Sequence, residues 1–186
     1  MTARLFDGDL LIRGGQVVGL DEVVEEDVLI LRGRVQQVGR AVLAPAGCQV
    51  LDATGKLVFP GFIDTQVQFR EPGLEHAEDL ESGSLAAVAG GITSFCEMPN
   101  TIPNTDGPER LADKVRRAQQ RSHADFAFFL GATGENADRL ADWENLPGCA
   151  GVKVFMGSST GTLLIPDDAT LERVLRSGER RVAVHS

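Results

Sequence analysis

After Leu57 the chain alternates short apolar runs with amphipathic stretches, and this rhythm constrains the fold more than any other feature. Strands are predicted at 58–69, 92–98, 125–131, 151–156 and 181–185. Helices are predicted between them at 78–89, 108–121, 135–143 and 168–176. Helix ends are marked locally: Asp106 or Gly107 stands before Pro108, Asp167 follows Pro166, and Gly90 and Gly178 can act as stops. Apolar strands separated by helices are the pattern of a parallel βα array, so the fold class is α/β.

The first 57 residues follow a different rule. Segments 9–13, 16–19, 26–31, 34–38 and 49–52 read as short strands, with Gly14-Gly15, Arg32-Gly33 and Thr54-Gly55 as turns. Their alternation is frequent but imperfect, which suits a small sheet covered on one face. The expected organisation is a small β-domain of sandwich type over 1–57 and the βα array over 58–186.

Composition narrows the function classes. A 42% hydrophobic and 24% charged chain of 186 residues can bury one good core. The net charge of −9 argues against a nucleic-acid or anionic-membrane partner, because both need a basic face. No apolar run approaches the roughly 18 residues of a membrane span, and Met1 to Asp9 has no apolar leader core. Cys48, Cys96 and Cys149 are far apart and lack metal-site or disulfide spacing. They read as buried thiols in a reducing compartment, which makes cytoplasm the expected location.

The segment Pro60 to Gly73, PGFIDTQVQFREPG, carries the chemistry. Residues two apart on a strand share a face, so His-x-His at a strand end aims two imidazoles at one metal ion. Here Gln66 and Gln68 keep that spacing and lose those ligands. Further landmarks follow in order: Ser84 to Gly91, Met98-Pro99-Asn100-Thr101, Gly151 to Gly157, and Val184-His185-Ser186. Together these resemble dihydroorotases of the amidohydrolase superfamily, in particular the longer microbial type with an added β-domain. Arg70 and Asn100 match positions that separate dihydroorotases from the related hydantoinases and allantoinases, which remain the alternatives.

The resemblance implies the first half of a TIM-like (β/α)8 barrel. A complete barrel typically takes about 250 residues, so the expectation is a part of a longer chain. It implies hydrolysis of a cyclic amide, dihydroorotate interconverting with N-carbamoyl-aspartate in pyrimidine synthesis. Two metal ions, usually zinc, activate a bridging hydroxide in the family. Lys153 matches a lysine that is carboxylated in relatives, and His185 matches a ligand histidine; these are the expected metal residues. Without the resemblance, Lys153 reads as a lysine that meets a carboxylate or reaches solvent, and His185 as a packed or exposed residue.

Arg70 and Asn100 are the expected substrate-binding residues, since a guanidinium can take a carboxylate bidentately and an amide can donate beside it. The alternative for Arg70 is an ion pair with Glu71 or Glu75. Asp64 either supports the metal site or caps a turn, and His76 and His123 read as surface residues. Two glycine-rich segments, Gly131 to Gly134 and Gly157 to Thr162, read as mobile loops at the barrel mouth, while Phe126, Phe128 and Phe129 read as core. No catalytic residue is assigned, because the family's acid–base carboxylate lies on a later strand. Gln66 and Gln68 leave three readings: a metal-free homologue, a mononuclear variant, or a site with other ligands. The metal-free reading implies an assembly subunit with an aspartate transcarbamoylase partner; a homo-oligomer is the other expected assembly.

Overall fold

The computed structural model describes residues 8–159 and 161–186, so Met1 to Asp7 and Thr160 lie outside the described residues. The chain divides into two compact units, Met1–Pro60 and Gly61–Ser186.

The first unit contains β1 (Leu10–Val18), β2 (Val23–Leu31), β3 (Arg34–Gly39), β4 (Gln49–Asp52) and β5 (Leu57–Val58). They form one sheet in the order β3-β2-β1-β4, with β5 also on β1. A sandwich of two facing sheets is therefore not what the described strands build. Arg32 and Gly33 both have positive φ, 52° and 74°, and close the β2–β3 hairpin as the right-handed strand twist requires. Gly14-Gly15 is not a turn: β1 runs straight through it with a register shift between Ile12 and Gly15. A Cβ on Gly15 would meet Val58 Cγ2 at 2.5 Å, so the glycine permits β5 to lie against β1. Buried Asp27 accepts from the amides of Gly14 (2.8 Å) and Val42 (3.0 Å), fixing this bulge. Leu11, Leu29 and Val42 form the core.

The expected strand 58–69 is split between the units. Leu57–Val58 pairs with β1, Pro60 offers no amide for a ladder, and β6 begins at Phe62. The boundary therefore falls after Pro60.

The second unit contains β6 (Phe62–Val67), α1 (Leu80–Ala89), β7 (Ile92–Glu97), α2 (Pro108–Arg121), β8 (Asp125–Gly131), α3 (Leu140–Trp143), β9 (Cys149–Phe155), α4 (Asp168–Arg176) and β10 (Val182–His185). The strands are all parallel and lie in chain order, the first five strands of a (β/α)8 barrel. Asp79 and Asp167 cap α1 and α4 by accepting from Ser82 and Thr170, each at 2.8 Å. Gly107 precedes Pro108 at the start of α2.

The expected helix 135–143 shrinks to a 3-10 turn at Ala137–Arg139 and the single turn of α3. Asn136 explains this. Its carbonyl oxygen takes the Thr133 amide, and its NH2 reaches Gly131 O and Asp106 O, so the local chain is committed to a turn.

One face of the sheet meets the helices. Phe95, Phe128 and Leu130 are buried with Leu80, Leu111 and Ala118, while Val152 and Val154 are buried with Leu140, Ile165 and Val174. Phe69 and Phe95 pack edge to face at 4.9 Å. The strand residues that alternate with these, including Gln66, Cys96, Lys153 and His185, project from the opposite face, the inside of the barrel curve. Among the described residues no helix is long and apolar enough to cross a membrane.

Candidate active site at the strand ends

Period-two alternation puts Gln66 and Gln68 on the inner face, and both are exposed. The Asp64 carboxylate accepts from the backbone amide of Gln66 at 3.0 Å; both residues lie within β6, where the pairing with β7 shifts register between Asp64 and Val67, so Asp64 braces an irregular strand and caps no turn. Asn100 is buried just beyond β7, and its NH2 donates to Gln68 Oε1 at 3.2 Å. The side-chain oxygen at one expected metal position is thus occupied by a neighbouring amide.

Arg70 follows directly, with φ at 65°. Among the described residues its guanidinium forms no ion pair. Both expected competitors are engaged elsewhere. The buried Glu71 carboxylate takes Arg121 at 2.8 Å and the Leu80 amide at 3.0 Å, while Glu75 accepts from Gly73 N at 2.9 Å. That Gly73 amide chiefly holds the Glu75 carboxyl below its usual range. The Ile102 amide donates to Pro72 O at 2.9 Å, joining the loop after Arg70 to the loop after Asn100.

On β9, Lys153 is only 2% exposed. It has neither a carboxylate partner among the described residues nor an open path to solvent. Its Nζ lies 5.1 Å from the centre of the Phe155 ring, and burial pushes its pKa down. His185 is exposed at the end of β10, with its ring 5.9 Å from that of Phe155. Lys153 and His185 therefore flank one phenylalanine, while Gln68 and Asn100 form a separate pair.

The chemistry of this donor set does not fit a binuclear zinc centre. Two amides replace two imidazoles, one amide oxygen is already bonded, and among the described residues no group of three His, Cys, Asp or Glu could hold a metal ion. The histidines expected at the surface, His76 and His123, are exposed. Of the cysteines expected to be buried, Cys149 is, whereas Cys48 and Cys96 are partly exposed. The loop from Gly131 is not open: Ala132 N donates to Lys153 O, and Thr133 N to Asn136. The loop from Gly157 includes Thr160, which lies outside the described residues.

Behind the site lies a charged layer that pattern reading overlooked. Glu97 and Lys114 are buried together with Nζ and Oε2 2.7 Å apart. Burial pushes the Glu97 carboxyl up and the Lys114 ammonium down, against their mutual attraction. The available signal was Lys114 in line with Leu111 and Ala118 on the apolar stripe of α2.

A family profile described as "Dihydro-orotase-like" matches residues 55–161. The dihydroorotase of Pelobacter propionicus is 43% identical over 152 residues, covering 77% of this chain and 35% of that protein. The allantoinase of Deinococcus radiodurans is 38% identical over 184 residues, covering 96% of this chain and 40% of that protein. Among solved structures, the L-hydantoinase (dihydropyrimidinase) of Arthrobacter aurescens superposes with a TM-score of 0.88 at 27% identity, over 96% of this chain and 41% of that one. The chain thus spans well under half the length of each of these proteins.

Proposed function

Because this chain belongs to the dihydroorotase-like family, we propose that it supplies the substrate-carboxylate side of a cyclic-amide hydrolase acting on dihydroorotate and N-carbamoyl-aspartate. The carrying observation is that Arg70 has no ion-pair partner among the described residues although acidic residues adjoin it, while Asn100 stands at the neighbouring strand end. A partly buried guanidinium that meets no carboxylate among the described residues suits an incoming one. Relatives with allantoinase and hydantoinase names make another cyclic amide the competing substrate.

Lys153 and His185 are the proposed remnants of the metal side, and a buried amine of lowered pKa suits carboxylation by carbon dioxide. With Gln66 and Gln68 as they stand, no hydrolytic step is assigned to a metal. The same substitution favours a second reading, a noncatalytic homologue that assembles with an aspartate transcarbamoylase and retains carboxylate binding.

Titration calorimetry of the intact protein tests the shared part. Dihydroorotate or N-carbamoyl-aspartate should bind, and Arg70→Met should weaken binding roughly tenfold to a hundredfold. No binding to the unaltered protein would sink both readings. Zinc content and turnover then separate them: an enzyme holds metal and loses turnover in Lys153→Ala, whereas an assembly subunit shows neither and co-purifies with its partner.

A further inference from the structure

Helix α2 sends its cations to both loops of the proposed carboxylate site. Lys114, Arg117 and Arg121 lie at i, i+3 and i+7, so they form one stripe on the helix. Arg121 Nη1 binds both oxygens of Glu71, at 2.8 and 2.9 Å, and Arg117 reaches the same carboxylate at 3.5 Å. Glu71 is the residue next to Arg70 and is 1% exposed. Arg121 also extends Nη2 to Asp79, the cap of α1, at 3.1 Å.

Two turns before Arg121 on the same stripe, Lys114 donates to Met98 O at 3.3 Å while pairing with Glu97. Met98 lies two residues before Asn100, so this contact fixes the strand end from which the Asn100 loop departs. The two loops are further locked by Ile102 N on Pro72 O at 2.9 Å. Burying charge adds little to stability compared with apolar packing, but a buried carboxylate held by several donors, as Glu71 is, fixes the geometry of its loop.

We propose that Lys114 and Arg121 are positioning residues: α2 clamps the Arg70 and Asn100 loops at the separation a substrate carboxylate requires. The role assigned to Arg70 and Asn100 rests on the function proposed above. The clamp itself rests on the contacts of Arg121 with Glu71 and of Lys114 with Met98 O and Glu97. Its consequence is that ligand affinity depends on groups on the helix side of the sheet, which touch no ligand.

Hydrogen exchange on the intact protein, with Arg121→Met and Arg121→Lys, decides this. The clamp predicts that Arg121→Met raises exchange in segments 68–75 and 98–105 by about tenfold or more, with β8 residues 126–131 unchanged. Arg121→Lys should restore most of the protection. The dissociation constant for N-carbamoyl-aspartate should rise about tenfold in Arg121→Met and recover with the lysine. Unchanged exchange in both segments, or an equal rise in β8, overturns the proposal. Should Arg121→Met fail to fold, Lys114→Met combined with Glu97→Gln removes the other arm of the clamp without an unpaired charge, and the same criteria apply. If the unaltered protein binds no N-carbamoyl-aspartate, the proposed function fails, while the exchange pattern still decides for or against the clamp.

Discussion

Asn100 donates its side-chain amide to Gln68 Oε1 at 3.2 Å, so a proposed substrate-binding residue is held by the glutamine that stands at an expected metal-ligand position. Gln68 is not merely a missing histidine. It is half of a hydrogen bond that orients Asn100, and changing it affects both sides of the site.

Replacing Gln66 and Gln68 together by histidine is expected to raise the zinc content of the intact protein, measured by elemental analysis after dialysis. Both positions are exposed, so the substitution should be tolerated, with about 1 kcal/mol lost from the Asn100 bond. Unchanged zinc content would show that these two positions are not what disables the site.

Lys153→Met should stabilise the protein near neutral pH, because it removes a buried ammonium that has no carboxylate partner among the described residues. The folded pKa is depressed, so the unfolded chain binds more protons in the window between the folded and unfolded pKa values. Stability of the unaltered protein should therefore rise with pH through that window, and its deficit against Lys153→Met should disappear above the ordinary lysine range. Thermal melts between pH 7 and the alkaline end should show a neutral-pH gain of about 2–4 °C that shrinks steadily. A gain independent of pH would refute the electrostatic cause.

Lys114→Met alone leaves Glu97 buried and unpaired and should cost about 3–5 kcal/mol in urea unfolding. The double variant Lys114→Met, Glu97→Met removes both charges from a site that is almost fully buried and should return to within about 1 kcal/mol of the original. Equal losses in both variants would mean that packing volume, and not the unpaired carboxylate, dominates.

Gly73→Ala should be destabilising by about 2–4 kcal/mol, combining backbone strain with overpacking. Gly73 has φ of 91°, and an added Cβ would sit 2.0 Å from the Ile102 carbonyl oxygen. Gly134→Ala is the matched control, since nothing lies within 4 Å of its Cβ position. Urea unfolding should show Gly134→Ala within about 0.5 kcal/mol of the original. Equal effects would contradict the close docking of the two loops.

The sequence by itself determined the βα rhythm, the starts of α2 and α4, and the landmarks shared with the dihydroorotase-like family. These are local quantities: hydrophobic period, a proline at the first helical position and an aspartate cap act within a few residues of where they are written. Tertiary structure decided what those elements do to one another. It made Gly14-Gly15 a bulge under β5, cut the segment 135–143 to single turns around Asn136, and gave Glu71 to Arg121, 50 positions away, leaving Arg70 without an ion-pair partner among the described residues. Partner choice over such separations is set by which faces the folded sheet and helices bring together, and an acidic neighbour in sequence loses to a guanidinium already fixed behind it.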